Sequence, residues 1–246
     1  MINILIADDN IYYARTLMNT INNQMDEVAK VSHIAIDGQE TINILNNNNI
    51  DIVLLDLEMP IYNGIDILNY LEKEDKEKYK NSIIVISAES ELIAKLKNQE
   101  YVYCIINKLT SISSVIKIIN ELVNQKNEIK KELLIKLQVI KELQYLNYNL
   151  SHKGTKYLID IILLLYDKYN YYDNLNFEEI VYPAISKKYG KSISTIKSNI
   201  NKSNDFMYKV CKRDKLKEYF KFQDDTKPTV KIVVYTIVNK IIMQYK

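Results

Sequence analysis

The sequence is poor in the residues that form cross-links or bind structural metals. It contains no tryptophan and only two cysteines, two histidines, four glycines and three prolines. Cys104 and Cys211 lie far apart, and His33 and His152 are the only histidines beside them. Neither a disulfide framework nor a structural zinc site is therefore expected.

A membrane segment is also missing from the sequence pattern. No charged and then apolar leader opens the chain, and long apolar stretches such as YLIDIILLLY are too short to span a bilayer or are interrupted by Asp160. We therefore expect a cytoplasmic protein with no membrane attachment.

The net charge of +2 is divided unevenly along the chain. Residues 1–125 contain 10 Lys and Arg against 18 Asp and Glu, whereas the remaining residues contain 23 against 13. The length of 246 residues suits two domains of ordinary size, each able to bury a core. We expect an acidic domain followed by a basic one, whose excess charge is either a solvated helical surface or a surface for a phosphate-bearing partner.

Five short apolar runs in the acidic half predict β-strands: INILIA, VAKVSHIA, IDIVLLDL, SIIVISA and YVYCIIN. Segments with helical spacing separate them, and the clearest one follows the last run, where Ile112, Val115, Ile116 and Ile119 recur every three or four residues. This alternation predicts an α/β domain with a five-stranded parallel sheet covered on both faces. The site of such a sheet is expected beyond the carboxyl ends of its strands.

Polar side chains stand where four of these strands end. Asp8 and Asp9 follow the first strand, Asp56 ends the third, Ser87 closes the fourth and Lys108 follows the fifth. Neighbouring carboxylates repel one another unless a cation lies among them, and oxygen ligands on a half-open rim suit Mg²⁺. A metal-neutralised aspartate can attack phosphorus while a lysine and a hydroxyl stabilise the oxygens of the transferred group. These residues therefore predict phosphoryl transfer to an exposed carboxylate.

The segments IADDN, LLDLEMPIYNG, VISA and INK resemble the successive signatures of the two-component receiver domain, over residues 1–124. The resemblance implies a flavodoxin-like fold in which Asp56 is the phosphoacceptor, Ser87 the switch hydroxyl and Lys108 the lysine of the site. A histidine kinase or phosphotransfer protein would donate the phosphoryl group. The implied Mg²⁺ ligands are Asp8, Asp9, Asp56 and the main-chain carbonyl of Glu58.

Two positions depart from the receiver pattern. Receivers usually have a proline after the lysine and an aromatic residue three positions before it, whereas this chain has Leu109 and Ile105. Because Ile105 lacks the ring that reports on the switch hydroxyl, we expect either that Tyr101 or Tyr103 substitutes for it or that the output surface responds weakly. A trans peptide at Leu109 is also expected to aim Lys108 differently.

A helical pattern continues through residues 125–150, QKNEIKKELLIKLQVIKELQYLNYNL, which contain neither glycine nor proline. Apolar residues such as Ile129, Leu133 and Leu137 keep spacings of three, four or seven, as in a dimerising coiled coil. We favour a linker over residues 125–132 and then the first core helix of a second domain, residues 133–246, because the repeat is short and drifts. The stretch TKYLIDIILLLYDKY then predicts a further core helix.

A helix-turn-helix is predicted within NFEEIVYPAISKKYGKSISTIKSNINKSNDFMYKVCK. Gly190 suits the end of the first helix, and Ser192 or Ser194 suits the N-cap of the second. The residues expected to face the core are Ile193, Ile196, Ile200, Asn204 and Met207. The opposite face would present hydroxyl, amide and ammonium groups to base edges and phosphates, from Ser194, Thr195, Lys197, Ser198, Asn201 and Lys202.

Three segments of the second half, HKGTKYLIDIILLLY, IVYPAISKKYGKSISTIKSNI and DDTKPTVKIVVYTIVNKI, resemble the effector domain of the stage-zero sporulation response regulator. The resemblance implies an all-α domain that binds double-stranded promoter DNA and dimerises when the receiver is phosphorylated. The family carries arginines and an acidic residue where this chain has Thr195, Lys197 and Ser198, which implies a divergent paralogue with a DNA box of its own. The chain is thus predicted to be a phosphorylation-dependent transcriptional regulator.

Another class of function stays open for the second half. Its basic helices would, in the alternative, dock an acidic protein partner such as a kinase or a polymerase subunit. An enzymatic second half is not expected, because the sequence there has no Gly-rich phosphate loop, no paired catalytic carboxylates with suitable flanks and no nucleophile–histidine pair.

Overall fold

The computed structural model describes residues 1–74, 76–88, 92–93, 96, 100–168 and 176–245. The chain forms two compact units, Met1–Lys130 and Lys131–Lys246. The strands of the first unit are β1 (Ile2–Ala7), β2 (Ala29–Ala35), β3 (Ile52–Leu55), β4 (Ile83–Ser87) and β5 (Val102–Asn107). The helices that the described residues delimit are α1 (Ile11–Gln24), α2 (Gly38–Asn47), α3 (Gly64–Lys73), a 3₁₀ turn (Glu77–Tyr79) and the first part of α4 (Ile112–Tyr145).

The five strands form one parallel sheet in the order β2-β1-β3-β4-β5, so the predicted α/β fold is confirmed. Successive side chains of a strand point to opposite faces, and both faces are covered. Ile4 and Ile6 of β1 join a core cluster with residues of α1 and α4, whereas Leu5 joins a second cluster with residues of α2 and α3. This double coverage explains why the central strands β3 and β4 appear in the sequence as strongly apolar runs.

Within its described residues, the second unit is all-helical, as predicted. After the second part of α4 it contains α5 (Lys153–Lys168), a π-helical turn (Phe177–Val181), α6 (Tyr182–Tyr189), α7 (Ile193–Val210), α8 (Arg213–Phe220) and α9 (Val230–Tyr245). One core cluster holds residues from all of these elements. The end of the predicted core helix TKYLIDIILLLYDKY falls on residue 169, outside the described residues. No helix in the described part of the chain is both long and apolar enough to cross a membrane.

The long helix α4 ends earlier than the sequence pattern predicts, at Tyr145 rather than near residue 150. Asn147 takes a left-handed conformation with φ of 63°. Its N–H donates to the carbonyl of Gln144 at 2.9 Å, and the N–H of Tyr148 donates to the carbonyl of Leu143 at 2.9 Å. These two hydrogen bonds form a Schellman motif, which supplies donors to backbone carbonyls that have no partner within the helix at its C-terminal end.

Candidate functional site

Three carboxylates meet at the edge where the parallel strands end. Ligand oxygens of Asp8, Asp9 and Asp56 lie within 4.8 Å of one another. They come together because β1 and β3 are adjacent and Ala7 lies opposite Leu55, so the residues that follow both strands are neighbours. The N–H of Asp56 still donates to the carbonyl of Ala7 at 2.8 Å, which fixes the backbone just beyond β3.

Lys108 forms ion pairs with two of these three carboxylates. Its Nζ lies 2.6 Å from Asp56 Oδ2 and 2.9 Å from Asp8 Oδ2. Burial acts to lower the pKa of Lys108, but the hydrogen bonds and charges of Asp56 and Asp8 outweigh it and leave the pKa raised. Burial likewise raises the pKa of Asp8, even though Lys108 opposes that change. The ammonium group therefore stays charged and acts as counter-ion to the carboxylates.

Asp56 is less accessible than the sequence predicts. We expected an exposed carboxylate, but only 4% of the residue is accessible. Lys108 covers one carboxylate oxygen, and the N–H of Glu58 reaches the other, Oδ1, at 3.3 Å. Access is through a cavity of about 630 Å³ whose lining includes Asp9, Asp56, Glu58, Asn63 and Lys108. The pocket therefore admits a small group to a carboxylate that the bulk solvent barely reaches.

Ser87 lies at the same edge, at the end of β4, and is fully buried. Its carbonyl accepts a hydrogen bond from the N–H of Lys108 at 3.1 Å, because the ends of β4 and β5 are paired. The structure thus brings Ser87 beside Lys108. Glu58 contributes backbone to the same pocket, so all the predicted receiver residues lie at one edge of the sheet.

The loop after β3 packs closely against the backbone of Asp56. A Cβ on Gly64 would come within 2.5 Å of the Asp56 carbonyl oxygen, so only glycine allows this close approach. The N–H of Tyr62 donates to the carbonyl of Pro60 at 2.8 Å across Ile61, whose φ is 69°. This is a γ-turn with positive central φ, a strained conformation for a β-branched residue.

Tyr13 is a site residue that the sequence pattern did not single out. Its ring centroid lies 5.3 Å from Lys108 Nζ, within the range of a cation–π contact. Its hydroxyl is buried and finds no hydrogen-bond partner among the described residues. Burial raises the pKa of Tyr13, with a further contribution from the charge of Asp8. The available signal was its position one helical turn beyond Asp9, on the face of α1 that turns toward the sheet.

The two departures from the receiver pattern are visible in the structure. Leu109 is 90% exposed and Ile105 is 41% exposed, and no peptide bond within the described residues is cis. Tyr101 is buried, and its hydroxyl donates to the carbonyl of Leu71 at 3.2 Å. The hydroxyl of Tyr103 is bound instead by Gln125 of α4, at 3.2 Å. Substitution for the missing ring by one of these tyrosines, or else a weakly responding output surface, stays a prediction.

The second unit contains the predicted helix–turn–helix geometry. Helix α6 ends at Gly190, which has the left-handed φ of 60° that favours glycine. Ser192 is the N-cap of α7, and its hydroxyl accepts from the N–H of Thr195 at 3.2 Å. On α7 the buried residues include Ile196, Ile200, Asn204 and Met207, as predicted, while Ile193 is half-buried against the core.

The residues predicted to contact DNA lie on the outer face of α7, but one of them is already paired. Exposed residues of this set are Ser194, Thr195, Ser198, Asn201 and Lys202. Lys197 is half-buried instead: its Nζ lies 2.7 Å and 2.5 Å from the two carboxylate oxygens of Glu178 and 5.0 Å from the ring centroid of Tyr182. Sequence reasoning missed Glu178, since nothing in the pattern links it to a residue of the second helix.

Two family models match the chain. Residues 4–120 match the response regulator receiver domain, and residues 139–241 match the C-terminal domain of the sporulation initiation factor Spo0A.

Curated relatives are similar over part of their length. The protein-glutamate methylesterase/protein-glutamine glutaminase of Pyrococcus abyssi is 31% identical over 137 residues, 56% of this chain and 34% of that protein. The transcriptional regulatory protein MalR of Bacillus subtilis is 35% identical over 101 residues, 41% of each chain. This chain thus spans less than half the length of these relatives, and the methylesterase similarity lies in the receiver domain.

Solved structures are similar over the first half of the chain. The receiver domain of the Francisella response regulator 1452 is 25% identical with a TM-score of 0.44, and it covers 51% of this chain and 99% of that one. The response regulator domain of Thermotoga maritima CheB is 27% identical with a TM-score of 0.42, over 51% and 95% of the two chains. Together, the two matched domains show that the chain belongs to the response regulators that join a receiver domain to a Spo0A C-terminal domain.

Proposed function

We propose that this chain is a transcriptional regulator controlled by phosphorylation of Asp56. A histidine kinase or phosphotransfer protein supplies the phosphoryl group in the cytoplasm, and the helix-turn-helix of the second unit binds double-stranded promoter DNA. The observation that carries the proposal is the set of three carboxylates at one edge of the sheet, two of which, Asp8 and Asp56, pair with Lys108. The chain also carries a basic, Spo0A-type domain.

The phosphoryl transfer uses groups that already surround Asp56. A carboxylate oxygen of Asp56 attacks phosphorus, the bond from phosphorus to the donor nitrogen breaks, and that nitrogen keeps the electron pair. Lys108 then exchanges its contact with Asp56 Oδ2 for the phosphoryl oxygens. Ser87, next to Lys108 at the end of β4, is the hydroxyl that donates to another phosphoryl oxygen.

The acidic residues of the pocket fit a magnesium ion. Asp8, Asp9 and Asp56 offer hard oxygen donors within 4.8 Å of one another, and Glu58 would add its main-chain carbonyl. The cavity beside them leaves room for water ligands, which Mg²⁺ usually keeps. When bound, Mg²⁺ supplies positive charge that neutralises the carboxylates and the transferred group.

The two domains have different tasks in this proposal. Residues 1–124 form the receiver, residues 125–132 a linker, which is helical as part of α4, and residues 133–246 the DNA-binding domain. Phosphorylation favours a homodimer, and the exposed face of α7 carries the DNA contacts. The candidate residues are the exposed Ser194, Thr195, Ser198, Asn201 and Lys202, together with the half-buried Lys197.

Phosphorylation is tested by intact-mass measurement after incubation with a small phosphodonor and Mg²⁺. The wild type should gain the mass of one phosphoryl group, and Asp56→Asn should gain none. Asp26→Asn removes an exposed carboxylate from the same unit and is the matched control, which should be phosphorylated like the wild type. Phosphorylation of the Asp56→Asn variant would assign the acceptor to another residue.

DNA binding is tested with the same proteins by fluorescence anisotropy. Duplexes selected from a randomised pool should bind the wild type more tightly when a phosphoryl mimic and Mg²⁺ are present, and the Asp56→Asn variant should not respond. Binding that does not change with the mimic would leave a DNA-binding protein uncoupled from its receiver. No binding in either state would contradict the proposal.

A further inference from the structure

The ion pair between Lys197 and Glu178 joins a predicted DNA-contacting residue to a carboxylate outside its own helix. Both carboxylate oxygens of Glu178 approach Lys197 Nζ, at 2.7 Å and 2.5 Å. The Lys197 side chain is 35% exposed and the Glu178 side chain 62%, so the pair is open to solvent and to ligands. A pair this exposed is weak by itself, and another anion can displace it.

The position of Glu178 is fixed by the turn that carries it. The side chain of Asn176 accepts the N–H of Glu178 at 3.0 Å, and Phe177 and Val181 of the same turn are fully buried. Glu178 therefore stands on an anchored backbone directly before α6. Its partner Lys197 lies within the stretch of α7 that exposes Ser194, Ser198 and Asn201. The negative charge of Glu178 is therefore held beside the face that is proposed to bind DNA.

We propose that Glu178 is an intramolecular competitor of DNA phosphate for Lys197, and that it restrains non-specific binding by the helix-turn-helix. This inference rests on the proposed DNA-binding function. Phosphate contacts supply almost all of the affinity for non-specific DNA, whereas base contacts add sequence preference. A lysine that is neutralised within the protein adds little to the affinity for non-specific DNA. Glu178 therefore raises the ratio of specific to non-specific affinity.

The test compares two adjacent glutamates in the full-length protein. Glu178→Gln removes the charge that pairs with Lys197, and Glu179→Gln removes the same charge from the next residue, which is exposed and has no ion pair among the described residues. Affinity for a random-sequence duplex is measured by fluorescence anisotropy over a series of salt concentrations. Circular dichroism verifies that both variants keep the helical content of the wild type.

We expect Glu178→Gln to bind the random duplex about threefold to fivefold more tightly, and its log–log salt dependence to steepen by about 0.9, the value for one additional phosphate contact. Glu179→Gln should change affinity by less than about twofold and leave the slope unchanged. Equal effects of the two variants would overturn the inference. Weaker binding by Glu178→Gln would also overturn it, since Glu178 would then orient Lys197 rather than compete for it.

A double-mutant cycle identifies the lysine that Glu178 restrains. Lys197→Gln should flatten the salt slope by about 0.9 in the Glu178→Gln background, and by clearly less in the otherwise wild-type protein, where Glu178 already neutralises Lys197. Lys202→Gln, which removes the charge of an exposed lysine on the same helix, should flatten the slope in both backgrounds. If Lys197→Gln flattens the salt slope equally in the wild-type and Glu178→Gln backgrounds, the inference fails while the proposed function stands. No duplex binding by the wild type would overturn both.

Discussion

Replacing Gly154 with alanine should destabilise the second unit, although alanine is the better helix former. Gly154 lies in the first turn of α5, where α5 crosses α7. A Cβ at this position would lie 1.9 Å from the carbonyl oxygen of Asn199 and 2.6 Å from Ser203 Oγ. The first contact is with helix backbone, so the clash is relieved only if one helix moves.

The magnitude follows from two opposing terms. Overpacking at a helix crossing costs about 3 kcal/mol at the upper end of its usual range, and the higher helix propensity of alanine returns about 1 kcal/mol. The net loss is therefore about 2 kcal/mol. Gly190→Ala is the matched control: nothing lies within 4 Å of its added Cβ, and only the left-handed φ of 60° opposes it. That conformation costs an alanine about 1 kcal/mol.

Native-state amide hydrogen exchange of the full-length protein measures both effects. Peptides from α5 and α7 should lose more protection in Gly154→Ala than in Gly190→Ala, while peptides from β1 and β2 serve as an internal reference and should keep theirs. Because the clash displaces the recognition helix, Gly154→Ala should also weaken DNA binding. Unchanged or greater protection of α5 in Gly154→Ala would show that propensity outweighs the contact and would refute the steric reasoning.

Three buried tyrosine hydroxyls lead to predictions that differ in size and sign. Tyr148→Phe should cost about 1–3 kcal/mol in urea unfolding, because the hydroxyl donates to Asn204 Oδ1 at 2.6 Å and its loss leaves a buried acceptor short of a partner. Tyr13→Phe should cost nothing or add stability, since the described residues offer its hydroxyl no partner, and it should keep the phosphorylation rate because the ring over Lys108 is retained; a large loss in either measurement would contradict this. Burial raises the pKa of Tyr79 to about 12, so the stability it contributes is complete below its ordinary pKa of 10.0 and is lost as the pH rises through 12. Tyr79→Phe should flatten the fall in stability over that interval, and an unchanged slope would contradict it.

The architecture of the first unit could be predicted because its physical causes are local in sequence. A strand buried on both faces needs an unbroken apolar run, and β3 and β4 are buried at every position. The parallel arrangement then brings Asp8, Asp56 and Lys108 together without any knowledge of side-chain conformations. The turn at Gly190 and the cap at Ser192 were predictable for the same reason, since each depends on one backbone conformation.

The features that could not be predicted depend on contacts between distant parts of the chain. Asp56 has low exposure because Lys108, 52 positions away, lies on one carboxylate oxygen. Glu178 meets Lys197 only once α6 and α7 have packed. The end of α4 at Tyr145 follows from the left-handed Asn147, and asparagine gives a weaker signal than glycine for that conformation.

Both units therefore hold a lysine against carboxylate in the place where a phosphate group is proposed to bind. In the receiver, Lys108 lies between Asp56 and Asp8, with a side chain that is 20% exposed against carboxylates that are 4% exposed. In the helix-turn-helix, Lys197 lies against the more open Glu178. When a phosphate oxygen binds Lys108 in the receiver, a buried carboxylate loses its ion-pair partner, which is costly. When phosphate binds Lys197, the exposed carboxylate of Glu178 is solvated instead, at little cost in free energy. The same exchange of partners can thus serve as a switch in the first unit, where it requires compensation by a bound cation, and as a graded restraint in the second.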